Sequence, residues 1–379
     1  MHQITQGLLD EGVKMKVLAL SPIPLENKRE QIPEEYINQT GFEAISIDTR
    51  IKIVSALINL FSKKSYIVER YHSRAVNKAL KRLLNRQTFD IIQLEGLYLT
   101  PYIPLIKSLA NCPLIYRAHN IEHFIWQRLA QTASQPFRKK YLEFLATRLR
   151  QYEIKTIHSV DGLAAISEID RHFFLSNGYK GPSVVIPAGI PDLNINDSAP
   201  KPEQNSVFHL GSMDWRPNQE GVTWFLKKVW PLVIAKKPAV KMYLAGRRMP
   251  ESFYDYHSEH IRVVGEVNNA MSFIKSKNLM VVPLLSGGGM RVKIIEGMAA
   301  GKTIISTQIG AEGIGCEHKK NIVLANTPEE MAEWIVKCLD DMALSNAISQ
   351  EAKMFALKHY DMKNIIKTLL AFYNRFYSN

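Results

Sequence analysis

Short apolar runs alternate with stretches of helical periodicity along nearly the whole chain. KVLAL (16–20), FDIIQLE (89–95), PLIYRAH (113–119), GLAAIS (162–167) and SVVIP (183–187) read as buried strands, with helix-like segments between them such as 68–86 and 136–158. SVFHLG (206–211), VKMYLAG (240–246), IRVVGEV (261–267), LMVVPLL (279–285) and TIISTQ (303–308) repeat the pattern. Strands that alternate with helices imply parallel sheets covered on both faces. The series restarts after PAGIPDLNINDSAPKPEQNS (187–206), a polar segment rich in proline and asparagine that reads as a linker. The expected fold is therefore α/β, with two Rossmann-like parallel-sheet domains, and 379 residues are enough for both.

The expected domains are 1–195, 205–355 and a C-terminal helical segment, 356–379, where YDMKNIIKTLLAFYNRF is amphipathic. The start, MHQITQGLLDEGVKMKVLAL, reads helix then strand. A doubly wound domain begins one strand earlier, with a glycine-rich turn, so the first domain is expected to lack its first strand.

Composition narrows the function. Cys112, Cys316 and Cys338 are odd in number and widely spaced, which argues against a disulfide framework or a zinc site. No apolar run approaches the ~20 residues that span a bilayer, and the N-terminus does not read as a signal peptide. The expectation is a cytoplasmic protein or one peripheral on a membrane. The net charge of +12 suits an anionic partner, or simply a solvated basic surface. Between Ser62 and Arg86 lie Lys63, Lys64, Arg70, Arg74, Lys78, Lys81, Arg82 and Arg86, interleaved with Tyr66, Tyr71, Leu80, Leu83 and Leu84. Such a segment can lie on an anionic membrane or be an ordinary solvated helix face. Nucleic acid is not an expected partner, because no recognised binding module is present.

The most informative stretch is SGGGMRVKIIEGMAAGK (286–302). It follows the strand LMVVPLL and reads as a loop, then a helix from about Met290 to Ala300, closed by Gly301. On a helical wheel Val292, Ile295, Met298 and Ala299 face the sheet, and Lys293, Glu296, Gly297 and Ala300 lie opposite. Gly287, Gly288 and Gly289 let backbone amides approach a phosphate at the positive end of the helix dipole. Arg291 and Lys293 add charge for a pyrophosphate, and Glu296 suits ribose hydroxyls. The bland alternative is a flexible loop and a surface Lys–Glu pair. A P-loop is excluded, since Glu296 stands where the first glycine of GxxxxGK[ST] belongs and the element order is reversed.

This stretch closely resembles the donor-site signature of the retaining glycosyltransferases of family 4 (glycosyl transferases group 1), which have the GT-B fold. HLGSMDWRPNQEGVTWFL (209–226), GLAAISEIDRHFF…VVIPAGI and RAHNIEHFIWQRL (117–129) resemble further segments of the family, in order. The resemblance implies two Rossmann-like domains facing across a cleft, with the C-terminal helix returning to the first domain. It implies transfer from a UDP- or GDP-linked nucleotide-sugar to a glycan or lipid-linked acceptor, with retention and no metal or other cofactor, in cell-surface polysaccharide or glycolipid synthesis. By the same resemblance Lys293 binds phosphate, Glu296 binds ribose, and Gly287, Gly288, Gly289, Met290 and Arg291 surround the donor. Val267 meets the base, and His119 and Arg216 act near the reaction centre, although Arg216 could merely anchor its loop. Gly288 departs from the pattern, since many members carry a second glutamate there. A nucleotide-sugar epimerase-like enzyme of the same fold and a non-catalytic binding protein are the alternatives.

Overall fold

The computed structural model describes residues 2–22, 32–52, 58–62, 64–190 and 201–377. Lys63 and half of the expected linker, 191–200, lie outside them. The chain divides into two compact units, Met1–Pro187 with Ile365–Asn379, and Ala188–Asn364.

In the first unit, β1 (Leu18–Ser21) and β2 (Glu43–Ser46) form a two-stranded parallel sheet. β3 (Ile92–Glu95), β4 (Leu114–Ala118), β5 (Gly162–Ala165) and β6 (Ser183–Val185) form a four-stranded parallel sheet in that order. The first described element is the helix His2–Asp10. One face of the four-stranded sheet packs Leu94, Leu114, Tyr116 and Leu163 into a core with Phe174 and Leu149. Strand register places Gln93, Glu95, Ile115, Arg117, Gly162 and Ala164 on the other face. The helix Met362–Asn374 covers that face. A Cβ on Gly162 would stand 2.7 Å from Phe376 Cζ and 3.1 Å from Phe372 Cζ, so any larger residue there must push those two rings aside.

The segment 68–86 is not one helix, as expected from sequence, but two. Tyr66–Glu69 ends before Ser73, whose hydroxyl caps Arg74–Leu84 by accepting from Ala75 N. A serine in extended backbone starts a helix rather than continuing one. The second helix turns Val76 into the core, with Leu80 and Leu84 packed against it, and leaves Arg74, Lys78, Lys81 and Arg82 exposed.

In the second unit, β7 (Glu203–Leu210), β8 (Lys241–Ala245), β9 (Ile261–Gly265), β10 (Lys277–Val282), β11 (Thr303–Ser306) and β12 (Val323–Leu324) form a parallel sheet of order β12-β11-β10-β7-β8-β9. Its strands are buried on both faces. Val207, Leu279, Val281 and Ile305 enter one core, and their neighbours Phe208, Met280, Val282 and Ile304 enter another. That is the period-two arrangement of a sheet covered on each side, and it explains why the strands read as continuous apolar runs. The expected C-terminal helical segment is two helices, Met342–Tyr360 and Met362–Asn374, with Asp361 extended between them.

Candidate functional site

The glycine loop leaves the C-terminal end of β10, where open α/β sheets gather their ligands. Gly287 has φ +101°, and a Cβ on it would stand 2.8 Å from the Trp215 ring, so both the backbone and the space demand glycine. Gly289 also has positive φ. Arg291 turns back onto the loop: its Nη1 donates to the carbonyls of Gly288 and Gly289, and its guanidinium lies 5.2 Å from the Trp215 ring centroid. In this structure the arginine thus shapes the loop rather than reaching outward.

The helix after the loop runs Val292–Ala299, later than expected, because Met290 and Arg291 belong to the loop. Met290 is half-buried against the second core of this unit. The helix is also rotated from the sequence wheel. Val292 is exposed, while Gly297 faces the sheet, where a Cβ would meet Met280 Sδ at 2.7 Å and Ile304 Cδ1 at 3.1 Å. The glycine therefore permits close helix–sheet packing, and does not make room beside Lys293. Gly301 closes the helix at φ +68°, with its N–H on the Met298 carbonyl and the Lys302 N–H on that of Gly297.

Lys293 is the most constrained group of the site. Its Nζ donates to Asn218 Oδ1 at 2.8 Å and lies 3.4 Å from His209 Nε2. Asn218 is buried, and its own amide donates to the Ser212 carbonyl. His209 Nδ1 donates to the Val281 carbonyl, so its Nε2 is the lone-pair nitrogen facing the ammonium. Burial holds the His209 pKa well below the ordinary range, with Lys293 adding to the effect. The same crowding, with Arg291 nearby, pushes Lys293 down to about 7. One turn later, Glu296 is half-buried, and burial raises its pKa. Among the described residues its carboxylate has no hydrogen-bond or ion-pair partner.

Arg216 is not in a loop. It is the first residue of the helix Arg216–Trp224, largely exposed, with Nε donating to Glu220 Oε1 at 2.8 Å. Glu220 in turn accepts from Ser286 at the start of the glycine loop. Val267 follows β9 and packs against the same core as Met290. The site in this unit therefore brings together Lys293, Glu296, the glycines, Met290 and Arg291, with Arg216 reached through Glu220. His209, Asn218 and Trp215 were not singled out from sequence, although HLG at a strand end was a signal.

His119 belongs to the other unit, one residue beyond β4. Its Nε2 lies 2.6 Å from Glu95 Oε2, which also accepts from Arg117 Nη1 at 3.0 Å. Burial alone would raise the Glu95 pKa, but His119 and Arg117 outweigh it and hold the carboxyl down to about 2. Glu122 opens the helix Glu122–Gln131 and accepts from Tyr98 OH, and His123 is buried against Glu153. Among the described residues no group of three His, Cys, Asp or Glu side chains is arranged to hold a metal ion, and no helix is long and apolar enough to cross a membrane.

Parallel sheets in separate α/β units, each with polar side chains at a strand's C-terminal edge, define a protein of the GT-B class. The sequence profile of Glycosyltransferase Family 4 matches residues 1–192, and that of Glycosyl transferases group 1 matches residues 204–341. The chain belongs to Glycosyltransferase Family 4, and glycosyltransferase activity follows from that membership. It is 24% identical over 306 residues to an uncharacterized 44.6 kDa protein in the cps region of Klebsiella pneumoniae, covering 76% of each chain. It is 26% identical over 172 residues to the phosphatidyl-myo-inositol mannosyltransferase of Mycolicibacterium smegmatis, covering 43% of this chain and 42% of the relative. Among solved structures, sucrose-phosphate synthase from Thermosynechococcus elongatus superposes with a TM-score of 0.70 at 15% identity, covering 100% of this chain and 92% of the other. Anabaena HepE in complex with UDP-glucose superposes with a TM-score of 0.60 at 16% identity, covering 95% and 100%.

Lys293 also makes stability depend on pH. Its folded-state pKa is depressed relative to an unfolded lysine, so the fold disfavours the charged form. The penalty is full below about 7 and is relieved as pH rises from there toward the ordinary lysine range. Wild type minus Lys293→Met stability, from urea midpoints, should therefore rise between about pH 6.5 and 9.5. The expected gain is about 1–2 kcal/mol, discounted because the side chain keeps solvent contact. A difference that is flat with pH would show that the lysine is not perturbed.

Proposed function

We propose that this chain transfers a sugar from a UDP- or GDP-linked donor to a glycan or lipid-linked acceptor, with retention of anomeric configuration and without a metal ion. The observation that carries the reading is the placement on one helix of a crowded lysine and a carboxylate with no partner among the described residues, one turn apart, beneath a glycine loop. A pyrophosphate at Gly287–Gly289 supplies the negative charge that Lys293 lacks, and the helix N-terminus adds its dipole. These cationic groups do the neutralising that a metal ion does in other enzymes. Glu296 accepts from the ribose hydroxyls, and Val267 lies at the base. Arg216, tied to the glycine loop through Glu220 and Ser286, is assigned to the phosphates.

His119 is assigned to the reaction centre, where an imidazole steadies developing charge or a sugar hydroxyl. In a retaining enzyme without a covalent nucleophile, the departing phosphate takes the acceptor's proton on the face it leaves. The new glycosidic bond forms as the sugar–phosphate bond breaks. The neighbours support a nucleotide-sugar donor, since HepE is described with UDP-glucose. The mannosyltransferase relative is named for a phosphatidylinositol acceptor, which supports a lipid-linked one, and the cps-region relative supports a polysaccharide role.

A thermal-shift panel of nucleoside diphosphates and nucleotide-sugars, run in chelator, tests the donor site. Binding to the folded state raises the midpoint by mass action. One base should stabilise the wild type, and Glu296→Ala should lose most of that shift. No shift with any nucleotide, or one that appears only when metal is restored, would overturn the reading.

Contact with an anionic membrane belongs to the same proposal and would be electrostatic, because the helix Arg74–Leu84 already spends its apolar side in the core. Vesicles rich in acidic phospholipid should co-sediment the protein at low salt and release it at high salt. Failure to bind at low salt removes the idea.

A further inference from the structure

Four polar side chains share one face of the first unit's sheet, at its C-terminal edge. Glu95 of β3 and Arg117 of β4 are register partners, Gln93 lies two residues before Glu95, and His119 lies two after Arg117. Side chains two apart in a strand point to the same face, and register partners are neighbours across it. The helix Met362–Asn374 covers this face and joins the set: Tyr373 OH donates to Gln93 Oε1 at 2.7 Å. With its oxygen taken, Gln93 must offer its amide, and Nε2 donates to Glu95 Oε1 at 2.6 Å. Glu95 Oε2 then receives Arg117 Nη1 and His119 Nε2, at 3.0 and 2.6 Å. Arg117 also donates to the carbonyls of Ile186 and Pro187, which fixes its fork.

Each step constrains the next. A carboxylate held ionised by an arginine only accepts, so the proton in the His119–Glu95 bond sits on Nε2. The ring nitrogen left over is Nδ1, which among the described residues makes no hydrogen bond. Beside it stands Gly96 at φ +96°, where a Cβ would lie 3.7 Å from Nδ1. That contact would be an ordinary one, and it is the positive φ that favours glycine there; the His119 side chain is 30% exposed while Glu95 is 20% exposed.

We propose that Glu95 is the positioning residue for His119: it accepts the hydrogen bond from Nε2–H and so presents Nδ1 to the substrate, and Tyr373 of the C-terminal helix holds Glu95 in place through Gln93. The C-terminal helix is then part of the catalytic support, and does more than close the fold. The proposal rests on the reading of His119 as a group of the transfer reaction.

The test uses the whole chain labelled with 15N-histidine. Two-bond 1H–15N spectra at about pH 8 distinguish the two neutral tautomers. The His119 signals are identified by their loss in His119→Gln. The wild type should show the Nε2–H tautomer, and Glu95→Ala should show a mixture. Consumption of the UDP- or GDP-sugar that passes the thermal-shift panel gives the second readout. Glu95→Ala should lower kcat by roughly 10–100-fold with donor KM nearly unchanged, as lost support of an active imidazole does elsewhere. Glu95→Asp should restore part of it, and Tyr373→Phe should cost a few-fold. An Nδ1–H tautomer in the wild type, or an unchanged tautomer and kcat in Glu95→Ala, overturns the proposal. Full turnover in His119→Ala overturns the role of the ring itself, and the spectra separate that failure from a failure of the Glu95 bond.

Discussion

A lysine ammonium packed between Asn218 and His209 is a costly arrangement, and the rest of the second unit is organised around it. Desolvation makes the charged form of Lys293 unfavourable, and its two neighbours satisfy it only in part, since a neutral imidazole and an amide oxygen carry no negative charge. Among the described residues no carboxylate is paired with it, although Glu296 stands one turn away on the same helix. A fold optimised for stability would bring those two together. Here they are kept apart, which is the asymmetry the proposed nucleotide-sugar site would need, an anion for one and hydroxyl donors for the other.

The first unit solves the opposite problem. Its carboxylate is well paired: Glu95 receives bonds from a glutamine, an arginine and a histidine, and the C-terminal helix completes the chain through Tyr373. A buried network of this kind fixes geometry well and tolerates change badly. The two sites therefore have different physical characters, one poised by an unmet charge and the other held by a carboxylate bonded on both oxygens.

Much of this was legible in the sequence. The alternation of apolar runs and helical segments declared two parallel-sheet units, and SGGGMRVKIIEG showed its glycines, lysine and glutamate by spacing alone. What stayed hidden depends on strand order and on helix rotation. His209 and Asn218 meet Lys293 because β7 lies beside β10, an adjacency that no local pattern records. Glu95 was visible only as the last letter of a strand, and its role needs the register with Arg117 and a helix from the far end of the chain. β2 was missed because its four residues are half-exposed and short, and Gly297 was misread because one residue of helix offset turns a solvent-facing gap into a packing contact.

The central claim is that Lys293 is held partly uncharged until a pyrophosphate arrives. An anion beside it raises its pKa again, so binding near pH 8 must draw a proton from solution. A nucleotide-sugar carries no phosphate proton at that pH, so the proton goes to the protein. Isothermal titration of the stabilising nucleotide-sugar in two buffers of different ionisation enthalpy measures it directly. The account predicts uptake approaching about one proton at pH 8, fading toward pH 6, where the lysine is already charged. Binding at pH 8 with no proton exchange would contradict it.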